Sequence, residues 1–249
     1  MTENQSWYDQ DDFWHTVESI LFHQKRMANA ASQVENIIKL LDIKQGAKIL
    51  DLCCGIGRHS IEFSRQGFEV TGVDRTKTYL EKAASQAQSE GLNIEFVNED
   101  MRVFYQPDTF DLVVNLFTSF GYFESPEDDR KVVENVYASL KSGGKFLIDM
   151  QGKEITARDF RERDWNEVDG NIILEERKIL DNWGKVENRW IFFKKETRIE
   201  NKIVLRLYSA VELSSLLKQC GFSDVKVYGS LQGIDYDHKA RRLVVVAEK

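Results

Sequence analysis

The sequence predicts an α/β protein whose core is a doubly wound, mainly parallel sheet. Two observations between residues 48 and 150 support this fold class. Short apolar runs of strand length alternate with segments of helical periodicity, and most of these segments end at glycine or serine positions. Strands separated by helices of about 10 to 15 residues form right-handed βαβ units, so their strands pair in parallel. Helices precede this frame, and a β-rich insertion interrupts it.

The elements of the frame follow one another in a regular order. The predicted strands are 48–52, 69–74, 94–97, 110–115, 145–150, 225–228 and 242–247. The predicted helices are 57–65, 76–89, 126–140 and 209–219, and we expect the third to stop at Ser142-Gly143-Gly144. Ahead of the frame, apolar residues recur every three or four positions from 11 to 41, which predicts helix.

After residue 150 the alternation of strands and helices stops. Three β-rich runs follow at 172–180, 186–197 and 202–207, and turn-forming residues separate them at 181–184 and 200–201. This pattern predicts an antiparallel meander inserted into the α/β frame. The chain is therefore expected to have three parts: helical residues 1–46, a frame of residues 47–150 and 209–249, and an inserted β subdomain of residues 151–208.

Composition narrows the class of function. The 249 residues include 34 basic and 41 acidic side chains, a formal charge of −7, which argues against a general affinity for nucleic acid or anionic membranes. The three cysteines do not suit a disulfide framework or a zinc site, so we predict no metal. A polar N-terminus without a signal peptide and strand-sized apolar runs predict a cytoplasmic protein without a membrane span.

The first strand runs into a glycine-bearing turn, Cys53-Cys54-Gly55-Ile56-Gly57, and then into a helix. Glycines at such a turn let the backbone approach a ligand closely and expose N–H groups at the start of the helix. Such a turn also occurs for purely structural reasons. The run from Gly55 to Ser60 is a near match to the NAD(P)-binding fingerprint as well, so the turn alone does not identify its ligand.

Aspartates at the ends of three successive strands sharpen the prediction. Asp51 ends the first strand, where a carboxylate can meet the ammonium group of a ligand. Asp74 ends the second strand, 19 residues after Gly55, in the position of an acid that binds ribose hydroxyls. Asp100 follows the third strand, with Met101 beside it, where both can meet the edge of an adenine. Asp51 and the Asp100-Met101 pair have no role in NAD(P) binding, which disfavours that alternative.

These residues resemble the class I methyltransferases that use S-adenosyl-L-methionine (SAM). The chain is similar, over nearly its whole length, to a bacterial group of small class I enzymes that share five motifs. The motifs are LDLCCGxGRHS at 50–60, VTGVD at 70–74, DMR at 100–102, FTSFGYF at 117–123 and RRLVVVA at 241–247. The wider class prefers glycine at the position of Cys53.

The resemblance implies a Rossmann-like seven-stranded sheet whose last strand, 242–247, is antiparallel. It implies SAM as cofactor, with Gly55 and Gly57 along the methionyl and ribose backbone and Asp74 on the ribose hydroxyls. Arg75 would flank the adenine. The remaining residues expected to bind the cofactor are Asp51 and Cys53 at the first turn, Asp100 and Met101 at the adenine edge, and Asn115, Leu116 and Phe117 near the methyl group.

The methyl acceptor is less constrained by the sequence. The fourth strand lacks the Asn/Asp-Pro-Pro-Tyr signature of enzymes that methylate amino groups of nucleobases or glutamine, and the acidic chain favours a small-molecule acceptor. Alternatives are methylation of RNA or protein, and a SAM-binding regulator without catalysis. Candidate proton acceptors or orienting groups, each with a structural role as the alternative, are Tyr122, Tyr208, Tyr236 and His238.

Several residues have two open interpretations. The aromatic N-terminal residues either fold over the SAM site as a lid or fasten the first helix to the core. The inserted meander either roofs the acceptor pocket or forms the contact of a homodimer. Arg26 either pairs with the methionyl carboxylate or is an exposed helix residue, and His59 is either structural or a contact to the ligand.

Overall fold

The computed structural model describes residues 6–168, 170–194 and 197–249. Its strands are β1 Lys48–Leu52, β2 Glu69–Asp74, β3 Ile94–Asn98, β4 Phe110–Asn115, β5 Leu140–Met150, β6 Arg163–Val168, β7 Asn171–Leu180, β8 Lys185–Lys194, β9 Thr197–Arg206, β10 Ser223–Tyr228 and β11 Leu243–Glu248. Its α-helices are α1 Asp11–Leu21, α2 Gln24–Ala28, α3 Ala30–Leu41, α4 Arg58–Arg65, α5 Lys77–Ser89, α6 Pro126–Ser139, α7 Lys153–Arg158 and α8 Ala210–Gln219.

The main sheet confirms the predicted fold class. Seven strands pair in the order β10-β11-β5-β4-β1-β2-β3, and β1 to β5 are parallel to one another. Strand β11 is antiparallel to β5, with Leu243 opposite Met150, so the last strand has the predicted direction. No helix within the described residues is long and apolar enough to cross a bilayer.

The central strands are buried on both faces, which explains their nearly continuous apolar sequences. In β4, Leu112 and Val114 face one side and pack in a cluster with Val34 and Ile37 of α3. Val113 faces the other side and packs in a cluster that includes α6. All three valine and leucine side chains of this stretch of β4 are fully buried. Helices therefore cover both faces of the sheet and leave its carboxyl edge as the accessible place for a ligand.

The N-terminal helical region is divided, whereas one continuous pattern was predicted for 11–41. Helix α1 ends before Phe22, and His23 has an extended backbone (φ −64°, ψ 158°) before α2 begins. The ring of Phe22 packs edge-on against Tyr79, with 5.2 Å between the ring centroids. The break in the helix thus coincides with a tertiary contact of Phe22. Local periodicity alone would continue the helix through this residue.

The predicted helix stop at residues 142–144 is wrong. Helix α6 already ends at Ser139, and both Gly143 and Gly144 lie inside β5. The pairing of β4 with β5 jumps from Phe110 opposite Leu140 to Leu112 opposite Lys145, so residues 141–144 form a bulge. The glycines serve this bulge, because Gly143 has a positive φ of 76°.

The insertion forms a four-stranded antiparallel sheet in the order β6-β7-β8-β9, one strand more than predicted. The turn predicted at 181–184 is confirmed by a short 3₁₀ helix at Asp181–Trp183. The turn predicted at 200–201 is wrong, because Glu200 and Asn201 pair with Ile191 and Trp190 inside β9. Residues 195–196, which the predicted run 186–197 contains, lie outside the described residues. Strand β6 escaped prediction because its sequence is mostly polar and charged.

Gly57, just before α4, gives a direct test of how closely the glycine turn packs. It has φ +75°, and an added Cβ would lie 2.8 Å from the Cβ of Ala83. We expect Gly57→Ala to lower the free energy of unfolding by about 2 to 4 kcal/mol, since backbone strain and overpacking add. Urea denaturation would measure this loss.

Gly91→Ala is the matched control. Gly91 also has a positive φ, of 67°, but an added Cβ would meet no atom within 4 Å. Gly91→Ala should therefore lower the free energy of unfolding only by the cost of the backbone strain, about 1 kcal/mol. Equal losses for the two variants would show that the packing against Ala83 contributes nothing.

Candidate active site

A cavity of about 1020 Å³, including its open mouth, lies at the carboxyl ends of β1 to β4. Parallel strands place their carboxyl ends at one edge, so residues distant in sequence meet there. The lining comes from the strand ends, from α4 and α5, and from residues 7–26, which we call the N-terminal segment. It comprises Tyr8, Trp14, Leu21, Phe22, Arg26, Asp51, Cys53, Cys54, Gly55, Arg58, His59, Val73, Asp74, Arg75, Thr76, Tyr79, Glu99, Asp100, Met101, Leu116, Phe117, Ser119, Tyr122 and Phe123.

Most residues predicted to bind a cofactor lie in this wall. Two do not. Gly57 faces Ala83 and the ring of Phe96 instead, so it serves helix packing. Asn115 is fully buried behind the wall, where its Nδ2 donates a hydrogen bond to the carbonyl of Leu52 at 3.2 Å. The predicted residues that the fold brings together in the wall are Asp51, Cys53, Gly55, Asp74, Arg75, Asp100, Met101, Leu116 and Phe117.

Asp74 fixes the glycine turn. One carboxylate oxygen accepts a hydrogen bond from the N–H of Gly55 at 2.8 Å, and the other accepts one from the N–H of Thr76 at 2.8 Å. Burial raises the pKa of this carboxyl, and the two backbone hydrogen bonds oppose that shift. A carboxylate has about four acceptor sites, so it can still accept hydrogen bonds from a ligand's hydroxyl groups.

Asp51 is 2% exposed and lies on the same wall. The hydroxyl of Ser60 donates a hydrogen bond to its carboxylate at 2.6 Å. Burial raises the pKa of Asp51 to about 6, although Ser60 and the nearby Arg58 favour the ionised form. A cationic group of a ligand would therefore be attracted to this site and would in turn keep the carboxylate ionised.

Asp100 is held in a different way. Its carboxylate accepts hydrogen bonds from the backbone N–H of Arg102 at 2.7 Å and from the guanidinium of Arg102 at 2.7 Å. Burial alone would raise the pKa of Asp100, but the bonds from Arg102 outweigh it and lower the pKa. The guanidinium of Arg102 also lies 4.5 Å from the ring centroid of Phe123. Asp100 is thus a fixed anion at the end of β3.

Arg75 binds the N-terminal segment, a contact that the sequence did not predict. Its guanidinium donates hydrogen bonds to the carbonyls of Tyr8 at 2.5 Å and Asp9 at 3.2 Å, and it forms an ion pair with Asp11 at 3.7 Å. Besides lining the cavity, Arg75 therefore anchors the N-terminal segment at the carboxyl end of β2.

The N-terminal segment closes one side of the cavity with aromatic rings. The ring centroid of Trp7 lies 4.9 Å from that of Tyr122, and Trp14 lies 6.2 Å from Tyr122. The indole N–H of Trp7 donates to the carbonyl of Val204 in β9 at 3.2 Å. The segment lies between the cavity and the small sheet, and none of the described lining residues comes from that sheet.

Of the four candidate catalytic residues, Tyr122 alone lines the cavity. Burial raises the pKa of its phenol well above the usual value, so at neutral pH it is a hydrogen-bond donor. Tyr208 donates a hydrogen bond to Asp129 at 2.8 Å, and Tyr236 donates one to Glu154 at 2.9 Å. His238 is exposed outside the cavity. The structure does not bring these three residues to the cavity wall.

Two arginines give the cavity a positive end. Arg58 is 6% exposed, and it donates hydrogen bonds to the carbonyl of Arg26 and to the side chain of Gln33, both at 3.1 Å. Burial lowers the pKa of Arg58 to about 10, so it stays charged at neutral pH. Neither Arg26 nor Arg58 forms a salt bridge within the described residues. Unpaired buried charges are costly, which favours an anionic ligand group here. Arg58 was not singled out from the sequence, although its position directly after the glycine turn could have indicated it.

Three residues of the wall or its edge have strained backbones. Cys53, Phe117 and Thr118 have φ values of 65°, 60° and 67°. Such left-handed conformations cost free energy outside glycine and concentrate at ligand sites. The positive φ of Cys53 explains why a glycine suits this position. Phe117 is held from one side by Arg58, whose guanidinium carbon lies 4.0 Å from its ring centroid.

Comparison with known proteins relates this chain to methyltransferases. Residues 49–144 match the family model described as a methyltransferase domain. The chain is 28% identical over 225 residues to a glycine/sarcosine N-methyltransferase of Aphanothece halophytica, covering 89% of this chain and 83% of that one.

Solved structures share the fold. A SAM-dependent methyltransferase from Clostridium acetobutylicum superposes with a TM-score of 0.79 at 18% identity, covering 96% of this chain and 98% of that chain. The SAM-bound amino pentose methyltransferase CalS10 from Micromonospora echinaspora superposes with a TM-score of 0.66 at 19% identity and covers both chains fully. The domain match gives methyl transfer, for which SAM is the cofactor, as the activity, and the solved structures show that the fold is shared.

The described residues fit this cofactor by the chemistry of their donors and acceptors. Asp74 can accept hydrogen bonds from the ribose hydroxyls, and Asp51 can pair with the α-ammonium group. The positive end at Arg26 and Arg58 suits the methionyl carboxylate. The cofactor carries both charges on one carbon atom, so it matches a wall that is acidic on one side and basic on the other.

The raised pKa of Asp51 predicts a pH-dependent affinity for S-adenosylhomocysteine, which carries the same ammonium group. Below about pH 6 the carboxyl of Asp51 is protonated in the free protein and must lose its proton to pair with the ligand. We therefore expect the Kd to fall several-fold between pH 5 and pH 7. Isothermal titration calorimetry would measure it.

The Asp51→Asn variant should bind about tenfold more weakly at pH 7 and lose most of this pH dependence. Asp100→Asn is the matched control, because the pKa of Asp100 is lowered and the carboxyl does not titrate in this range. The Kd of this variant should depend on pH as strongly as that of the wild-type protein. If the Kd of Asp51→Asn depended on pH as strongly as that of the wild type, the pairing of Asp51 with the ammonium group would be contradicted.

Proposed function

We propose that this SAM-dependent methyltransferase transfers the methyl group to a nitrogen atom of a small amine. The observation that carries the proposal is the composition of the acceptor end of the cavity. This end consists of Tyr8, Trp14 and the described lining residues between 116 and 123, which contribute aromatic, leucine and serine side chains but no carboxylate. This end therefore offers positioning and shielding, without a strong base beside the acceptor.

The chemistry explains why this composition favours nitrogen. SAM supplies a methyl group on a sulfonium, and the acceptor attacks it in line. A hydroxyl acceptor must give up its proton as it reacts, which calls for a general base. An amine can release its proton to water first and then attack as the neutral species. Tyr122 cannot act as a base at neutral pH, because burial raises the pKa of its phenol.

Aromatic rings at this end suit an amine in its charged form as well. Trp14 and Tyr122 line the cavity, and both belong to the ring cluster with Trp7. The faces of indole and phenol rings attract ammonium groups by about 0.5 to 2 kcal/mol each. The hydroxyl of Tyr122 can also donate a hydrogen bond to a polar substituent of the acceptor. We infer that Tyr122 orients the acceptor and leaves the proton to solvent.

The cover of the cavity supports a small acceptor. Arg75 fastens the N-terminal segment through the carbonyls of Tyr8 and Asp9. The small sheet supports this segment from behind, since Phe13 and Val17 pack with Ile173, Phe192 and Ile203. We propose that the segment acts as the lid and that the insertion holds it in place. An RNA or protein acceptor would have to displace both.

The names of two similar proteins agree with a small acceptor that contains an amine. The relative from Aphanothece halophytica is a glycine/sarcosine N-methyltransferase, and the structure from Micromonospora echinaspora is an amino pentose methyltransferase. Their acceptors are small. At identities of 28% and 19%, a panel of small amines is the way to identify the acceptor of this chain.

An acceptor panel tests the proposal. The protein is incubated with SAM and, separately, with glycine, sarcosine, amino sugars, a catechol and transfer RNA, and S-adenosylhomocysteine is quantified by mass spectrometry. We expect turnover with at least one small amine and none with the catechol or the RNA. Turnover confined to the catechol or to RNA would contradict the proposal, and SAM binding without any turnover would favour a regulator.

Tyr122→Phe adds a residue-level test with the acceptor that the panel identifies. We expect kcat/KM for the acceptor to fall about tenfold, because one hydrogen bond is lost. The Kd of S-adenosylhomocysteine should stay unchanged. Tyr208→Phe is the matched control, since Tyr208 lies outside the cavity wall, and its kcat/KM should change less than that of Tyr122→Phe.

A further inference from the structure

We propose that His59 binds the α-ammonium group of SAM through its Nδ1 atom. His59 lies in the first turn of α4, directly after the glycine turn, and belongs to the cavity wall. It is 4% exposed, and its ring stacks on Phe117 with 5.6 Å between centroids and 24° between planes. The ring is therefore fixed in the wall.

The hydrogen bonds of Gln33 determine which nitrogen of His59 carries the proton. The side-chain oxygen of Gln33 lies 3.1 Å from a guanidinium nitrogen of Arg58 and 2.9 Å from Nε2 of His59. A guanidinium can only donate, so the Gln33 atom between them must be the oxygen. That oxygen can only accept, and His59 must therefore donate to it from Nε2.

A neutral imidazole with its proton on Nε2 has an unprotonated Nδ1, which is a hydrogen-bond acceptor. Within the described residues, Nδ1 of His59 has no hydrogen-bond partner. Burial, reinforced by the adjacent charge of Arg58, lowers the pKa of His59 well below its usual value. The imidazole therefore stays neutral at physiological pH, and its free acceptor can take a hydrogen bond from an N–H or O–H donor of a ligand.

The neighbouring groups indicate a cationic donor. Ser60, the next residue in α4, donates a hydrogen bond from its hydroxyl to Asp51, which ties the first turn of the helix to that carboxylate. Asp51 and His59 both line the cavity, one as an anion and the other as a neutral acceptor. An ammonium group has three donors and a positive charge, so it can satisfy both residues. Arg26 and Arg58 repel a cation but attract the carboxylate on the same carbon atom of the cofactor.

Two substitutions separate the two nitrogens of the ring. His59→Asn places an amide oxygen where Nδ1 lies and removes the donor to Gln33. His59→Gln retains a donor near Nε2 and removes the acceptor at Nδ1. A role through Nδ1 and a role through Gln33 therefore predict opposite orders of the two variants.

The test is isothermal titration of wild type and both variants with two ligands. S-Adenosylhomocysteine carries the ammonium group, and 5′-methylthioadenosine lacks the whole amino-acid part. We expect His59→Gln to bind S-adenosylhomocysteine about 10- to 100-fold more weakly, as for a lost hydrogen bond to a charged group. His59→Asn should stay within about threefold of wild type, and methylthioadenosine should bind all three proteins alike.

Three results would overturn the proposal. Weak binding by His59→Asn with normal binding by His59→Gln would show that the bond to Gln33 is what matters. Equal weakening of both ligands would show a general distortion of the site, which thermal unfolding of each variant would reveal independently. Normal binding of S-adenosylhomocysteine by His59→Gln would exclude the contact. None of these results depends on the identity of the methyl acceptor, so the proposed function is tested separately.

Discussion

The arrangement of β1 and β4 determines where this protein can bind a ligand. The two strands lie side by side in the sheet, with Leu50 opposite Val113. The chain continues from β1 into α4, whose Phe63 packs with α3 on one face. It continues from β4 to α6, whose Val132 and Val136 pack on the opposite face. The connections diverge, and a crevice forms between them at the carboxyl edge. The glycine turn and Phe117 border this crevice because they follow β1 and β4, and Asp74 and Asp100 line the same cavity from the ends of β2 and β3.

The electrostatics of the crevice follow from burial. Asp51 and Arg58 are both almost fully covered, and neither has a salt-bridge partner within the described residues. Burial shifts their pKa values to about 6 and about 10, in each case toward the neutral form. A ligand that brings an ammonium group and a carboxylate together reverses both shifts. The amino-acid part of SAM has this pair of charges, and we propose that part of its binding free energy comes from relieving these two costs of the free protein. Asp100, already paired with Arg102, does not share this property.

Much of the fold, and much of the lining of the cavity, was predictable from the sequence, because both depend on local patterns. Strand-length apolar runs, glycine stops and aspartates at strand ends are short-range signals, and the parallel α/β frame follows from them. The antiparallel direction of the last strand was implied by the family resemblance. The break at Phe22 was not predictable, since it coincides with the contact of its ring with Tyr79, 57 positions away in the sequence. Strand β6 was missed because an exposed edge strand needs few apolar residues; Trp165 is 62% exposed. Gly57 was expected to line the cofactor and Tyr208 to be a candidate catalytic residue. In the fold, however, Gly57 packs against Ala83 and the hydroxyl of Tyr208 binds Asp129.

Hydrogen exchange followed by mass spectrometry tests the central claim most directly, namely that SAM binds at the strand ends beneath the N-terminal segment. Amide exchange is compared for the free protein and for the protein saturated with S-adenosylhomocysteine. The account predicts slower exchange at the glycine turn and at the ends of β2 and β3. It also predicts slower exchange in the N-terminal segment, whose anchor Arg75 borders the same cavity. Protection at a different part of the chain, with the strand ends and the N-terminal segment unchanged, would contradict it.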